Sequence, residues 1–111
     1  MSYSYQDPLM SHEEATALLT SRVDTDIAAA LISIGLNEQD EAWAKTTCME
    51  YLGKESETIV TAAVCAMGHL ARRQCELDVE ALNSSLGKVK EKFPGLSGIV
   101  DDTLDDIELY T

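Results

Sequence analysis

The sequence predicts an all-α protein of about six antiparallel helices in consecutive pairs, that is, a short α-solenoid. Aromatic residues make up only 5% of the 111 residues, so the core must consist of aliphatic side chains and methionine, which suit helices better than sheets. Apolar residues recur at intervals of three and four, and no useful stretch shows the alternation of a strand. The segments between these helical stretches are short, which makes sequential helices antiparallel neighbours.

The chain begins with a polar stretch, residues 1–10, which contains Pro8. We expect an N-terminal arm here, followed by a single helical domain over residues 11–111. Ser11 and Glu14 have the spacing of a capping box, which predicts the start of the first helix.

The second and third predicted helices are read from "DTDIAAALISIGL" and "NEQDEAWAKTTCMEYLG". Asp24 or Thr25 is expected to cap the second helix, and Gly53 to end the third. The apolar stripe of the second helix consists of Ile27, Leu31 and Ile34.

The fourth predicted helix, "SETIVTAAVCAMGHLARRQ", is the most apolar, so we expect it in the middle of the fold. Ser56 is its expected N-cap. The fifth helix has lysines in its last turns, as the helix dipole prefers, and Pro94-Gly95 then breaks the chain. Ser97 is expected to cap the last helix. The residues expected to be buried in the last helix and in the fourth include Val64, Met67, Leu70 and Leu104.

An internal repeat is predicted for the second, fourth and sixth helices, although any two apolar stripes with this spacing would align. The stripe that begins at Ile27 aligns with one that begins at Val60, at an offset of 33, and with one that begins at Val100, at a further offset of 40. A glycine follows the first two copies at once, in "ISIG" and "CAMG". Three helix pairs at this period are typical of an α-solenoid, whose second helices usually line the binding surface.

The net charge of −12, from 20 acidic and 8 basic residues, argues against binding to nucleic acid or to anionic membranes. It favours a basic partner. The longest apolar run is far too short to span a membrane, and the N-terminus lacks the segments of a secretory signal. We therefore expect a cytoplasmic protein, monomeric apart from its complex with a partner.

Few groups are available for chemistry. Cys65 and His69 lie four residues apart and could form a nucleophilic pair, but in so apolar a helix packing is the simpler interpretation. Three cysteines without CxxC spacing are expected to be structural rather than redox-active. The acidic C-terminus could bind a divalent cation, yet it lacks the glycine and glutamate of an EF-hand loop. We expect no enzyme activity, no metal and no cofactor.

Five carboxylates crowd into eight residues of the last helix: Asp101, Asp102, Asp105, Asp106 and Glu108. Negative charge is favourable near the start of a helix but not toward its end, so helix energetics explains only part of the cluster. We expect these residues to bind a partner. Arg72 could contact an acidic ligand or form an ion pair with Asp102 or Asp105, which would neutralise part of the cluster internally.

Three segments together, "ALISIGLNEQDEAWAKTTCMEYL", "AAVCAMGHLARRQ" and "GIVDDTLDDIELY", resemble small bacterial HEAT-like helical-repeat proteins. Some of these resemble immunity proteins of contact-dependent growth inhibition and other polymorphic toxin systems. The resemblance covers residues from about 24 to 110. It implies a protein that binds a toxin domain tightly and masks its active site, without catalysis.

The charge is consistent with this function. Toxins that cleave nucleic acid tend to be basic, because their substrate is anionic, and an acidic inhibitor can capture them quickly. The carboxylates would then imitate the phosphates of the substrate. Two other classes stay open: a helical-repeat adaptor or scaffold that binds a basic protein, and an enzyme.

Overall fold

A computed structural model describes residues 10–110 and shows an all-α fold, which confirms the predicted class. Of these residues, 79% are helical, and none of them lies in a strand. The helices are α1 (His12–Leu19), α2 (Asp24–Asn37), α3 (Glu41–Tyr51), α4 (Glu57–Arg72), α5 (Val79–Lys92) and α6 (Ser97–Tyr110). A short 3₁₀ turn, Pro94–Leu96, leads into α6. The predicted N-terminal arm, residues 1–10, lies outside the described residues apart from Met10.

The helix starts follow the predicted caps in two cases and depart from them at α2 and at α6, where Ser97 is the first helical residue and not the cap. The capping box of Ser11 and Glu14 forms in full at α1, and the Ser56 side chain accepts a hydrogen bond from the Ile59 amide at α4. No side chain caps α2, so the prediction for Asp24 or Thr25 is wrong. The Asp24 carboxylate instead accepts a hydrogen bond from the Ser56 hydroxyl, at 2.7 Å.

Helix α4 lies at the centre of the fold, as its composition predicts. It packs against α2, α6 and α3. Helix α1 packs on α2, and α5 on α6, in the same way. The helices thus form three consecutive pairs, whose second members lie side by side with α4 in the middle.

Small residues let α2 and α4 approach closely. A Cβ atom placed on Gly35 would lie 2.7 Å from the Cα atom of Ala66 and 2.8 Å from its carbonyl oxygen. Two backbones at this distance leave no space for a side chain. Gly35 is therefore required by the contact between these two helices.

The core contains Val64, Met67 and Leu70, as predicted. Leu104 is only half-buried, so the prediction for this residue is wrong. Thr103 lies against α4 instead, and its hydroxyl donates a hydrogen bond of 3.4 Å to the carbonyl of Val64. Helix α6 is therefore rotated about its axis relative to the expected stripe, which leaves Leu104 beside α5.

Candidate protein-binding surface

Four of the five predicted site residues lie on the exposed face of α6, and the fifth, Asp106, lies toward α4. The core-facing residues of this helix are Val100, Thr103 and Ile107. The exposed carboxylates are those of Asp101, Asp102, Asp105 and Glu108. Positions separated by three and four residues share one face of a helix, so these residues form a continuous strip along α6.

Two of the five predicted residues are engaged within the chain. The Asp106 carboxylate is half-buried and forms an ion pair with Arg72 of α4. The Asp101 carboxylate accepts a hydrogen bond of 2.8 Å from Nζ of Lys90 in α5. Arg72 does form an ion pair with the cluster, but the expected partners, Asp102 and Asp105, are wrong. Asp106 lies one turn after Thr103, on the side of α6 that faces α4, and is therefore the carboxylate within reach.

Three predicted residues remain open to a partner: Asp102, Asp105 and Glu108, here called the acidic face. Over residues 10–110, no Lys, Arg or His side chain forms an ion pair with any of the three. Exposed like charges at helical spacing repel one another. A cationic surface that approached α6 would relieve this repulsion.

Two exposed apolar residues adjoin the acidic face. Leu109 is 73% exposed and Tyr110 is 39% exposed, and Leu109 lines a shallow depression together with Asp105 and Glu108. Sequence reasoning missed both, although their position outside the apolar stripe of α6 was a usable signal. Apolar and aromatic side chains surrounded by charges are common at protein–protein interfaces.

The possible nucleophilic pair, Cys65 and His69, lacks the features of an activated thiol. Nδ1 of His69 accepts a hydrogen bond from the Arg72 guanidinium, at 2.6 Å. Burial raises the pKa of the Cys65 thiol, and the nearby Arg72 charge offsets this only in part. Burial also raises the pKa of Cys48 to about 12. These directions oppose the thiolate that nucleophilic chemistry needs.

The described residues lack both the side-chain cluster of a metal site and a helix that could span a membrane. Over residues 10–110, no group of three or more His, Cys, Asp or Glu side chains is arranged to hold a metal ion. None of the helices described between these residues combines the length and the apolar character needed to cross a membrane.

Comparison with known proteins relates this fold to that of a chain in a solved structure. No family model and no curated protein matches the chain. A chain in the crystal structure of a CDI complex from Cupriavidus taiwanensis LMG 19424 is 28% identical to it, with a TM-score of 0.79, and the alignment covers 98% of both chains. CDI denotes contact-dependent growth inhibition. The chain therefore shares its fold with a protein of a CDI complex, which confirms the resemblance predicted from its sequence.

Proposed function

We propose that this chain is an immunity-type protein that binds a cognate toxin domain and neutralises it by masking its active site. The observation that carries the proposal is the similarity to a chain of a CDI complex over 98% of both chains. That solved structure is of a complex, so binding to a protein partner is the activity that the similarity supports most directly.

The toxin in this proposal is a basic, nuclease-type domain. Support comes from the acidic face, where Asp102, Asp105 and Glu108 have no cationic partner over residues 10–110. The net charge of −12 would also steer a basic domain toward this chain. Carboxylates in the place of substrate phosphates would explain how one surface both captures the toxin and blocks its active site.

The proposed protein acts in the cytoplasm by binding alone, without catalysis or a cofactor. Support comes from the groups that could do chemistry, which are used structurally. Arg72 binds Asp106 and His69, and the thiols of Cys48, Cys65 and Cys75 all have raised pKa values because of burial.

The test is co-expression with the toxin domain encoded immediately upstream, scored by cell survival. We expect survival only when this chain is present, and a stable complex between this chain and a catalytically inactive form of the toxin. Toxicity that persists despite abundant, folded protein would refute the proposal.

A helical-repeat adaptor for basic proteins is the second candidate. The observation that favours it is the repeated packing of α2, α4 and α6 side by side, an arrangement that repeat proteins use to build extended binding surfaces. A pull-down that recovers several unrelated basic proteins would support the adaptor, whereas recovery of the toxin domain alone would support immunity.

A further inference from the structure

A groove runs between α5 and α6, beside the acidic face. It has a volume of about 440 Å³, and the residues that line it include Val79, Asn83, Gly87, Lys90, Leu104 and Glu108. Leu104 belongs to the apolar stripe of α6 but is only half-buried, because no side chain of the described residues fills the space above it. Gly87 leaves the α5 side open, since a Cβ atom there would meet nothing within 4 Å.

The free charge at the rim of this groove is negative. Glu108 lines both the groove and the adjoining depression that contains Asp105 and Leu109. Lys90 is the basic residue that lines the groove, and its Nζ is engaged by Asp101 at 2.8 Å. A ligand with apolar groups could therefore pack on Leu104 inside the groove, while its cationic groups bind the carboxylates at the rim.

A second groove, lined by residues of α3, α4 and α5, has no excess of either charge that would favour a partner of opposite charge. The charged residues that line it are Lys45 and Asp78, one of each sign. Both are already engaged, since Lys45 donates a hydrogen bond to the carbonyl of Glu76 and Asp78 caps α5. Charge complementarity thus singles out the groove between α5 and α6.

We propose that the groove between α5 and α6 receives an apolar side chain from a basic segment of the toxin, whose cations lie on the acidic face. The inference rests on the proposed function and adds the place and the chemistry of the contact. Buried apolar anchors within a charged rim provide most of the binding energy at many interfaces. Leu104 would contact the apolar side chain of the toxin in the groove. Glu108 and the neighbouring Asp105 would contact its cations.

Gly87→Leu tests this placement directly, because Gly87 lines the groove and an added Cβ atom there would meet nothing within 4 Å. The matched control is Gly98→Leu in the first turn of α6, where an added Cβ atom likewise meets nothing within 4 Å and which does not line the groove. With the inactive toxin domain encoded immediately upstream, we expect Gly87→Leu to weaken binding by at least about tenfold. Gly98→Leu should bind like the wild type, and thermal melts should show both variants folded.

The outcomes separate this inference from the proposed function. If wild type and Gly87→Leu bind the toxin equally, the groove inference is wrong while immunity stands. If the wild type binds no toxin, immunity fails, and a synthetic peptide of alternating leucine and lysine serves as a second probe in an NMR titration. Shifts at Val79 and Leu104, which line the groove, that disappear in Gly87→Leu would then support the groove as a basic-peptide site, and their absence from the wild type would overturn it.

A second copy of this chain is the competing occupant. Sedimentation of the wild type and of Gly87→Leu distinguishes it. A wild-type dimer that Gly87→Leu dissociates would show that the groove pairs two copies, and the proposal would be overturned. A monomer in both cases leaves the groove free for the toxin, as proposed.

Discussion

At the scale of single residues, two adjacent arginines at the C-terminal end of α4 form polar contacts with α2 and with α6. Arg73 donates hydrogen bonds to the carbonyl oxygens of Gly35, at 3.0 Å, and Glu38, at 2.6 Å, at the end of α2. Arg72 points the other way and forms an ion pair with Asp106 of α6. Cations are favourable at the C-terminal end of a helix, where carbonyl groups lack partners.

The ion pair predicts opposite effects for two neighbouring aspartates. Asp106→Asn should lower the free energy of unfolding by about 0.2–1 kcal/mol, because a partly exposed ion pair is lost. Asp105→Asn should leave it unchanged or raise it slightly, since Asp105 is exposed and surrounded by like charge. Urea unfolding of both variants measures this, and equal midpoints would show that the ion pair contributes nothing.

His69 makes stability depend on pH in a predictable direction. Burial, and then the Arg72 charge, lower its pKa below the ordinary value of 6.5, while Asp106 acts in the opposite direction. The unfolded chain therefore binds a proton more readily than the folded chain. Neutral His69 therefore contributes to the free energy of unfolding. The contribution is fully present above pH 6.5, and it is lost as the pH falls through the lower pKa that His69 has in the folded state.

His69→Asn should flatten this dependence, because asparagine keeps an acceptor for Arg72 and does not titrate. Thermal melts of both proteins between about pH 7 and pH 5 measure the effect. We expect the melting temperature of the wild type to fall more steeply over this range. Parallel profiles would show that His69 does not contribute.

At the scale of helices, two glycines 33 residues apart, at matching positions of the predicted repeat, each lie against a neighbouring helix. Gly35 of α2 contacts Ala66 of α4. Gly68, the residue at the repeat offset of 33, lies toward α6, where an added Cβ atom would be 3.6 Å from both Thr103 Oγ1 and Asp106 Oδ2. The two glycines of "ISIG" and "CAMG" thus have corresponding places in the packing.

Gly35→Ala should therefore destabilise the protein by about 1–3 kcal/mol, because the opposing atoms belong to the backbone of α4 and cannot move aside. Gly87→Ala, in the open wall of α5, is the matched control and should stabilise by about 0.5–1 kcal/mol. Chemical unfolding gives both values. A Gly35→Ala variant as stable as the wild type would show that the two helices can separate at no cost.

At the scale of the whole molecule, the basic residues neutralise the carboxylates unevenly. Arg72 and Lys90 pair with Asp106 and Asp101 and leave the acidic face uncompensated. This uncompensated negative charge lies next to the exposed Leu109 and Tyr110. Such a surface attracts a basic partner from a distance and offers apolar contact at close range.

Asp105→Asn/Glu108→Gln should slow association with the inactive toxin and flatten its dependence on salt, because the lost charges lie at the rim. The free energy of unfolding should stay unchanged or rise slightly. Glu13→Gln/Glu76→Gln removes the same charge from exposed positions outside α6 and serves as the control. Equal rates for the two double variants across a salt series would show that net charge, and not the acidic face, guides binding.

The sequence alone determined the fold class, the order of the helices and much of the core. These follow from local information: apolar spacing along one helix, the capping box of Ser11 and Glu14, and the Ser56 cap each depend on residues within a turn or two. The same local patterns predicted the burial of Val64 and Met67. The five carboxylates of α6 were also visible as a group.

Tertiary structure alone decided which of these carboxylates remain open. A helical sequence fixes the angles between its own residues but not its rotation toward a neighbour, which is set by side-chain packing between helices. That rotation places Thr103 against α4, brings Asp106 to Arg72 and moves Leu104 into the groove beside α5. The acidic face is therefore Asp102, Asp105 and Glu108 rather than the whole cluster. Arg72, 34 residues before Asp106, and Lys90, 11 residues before Asp101, engage the other two carboxylates.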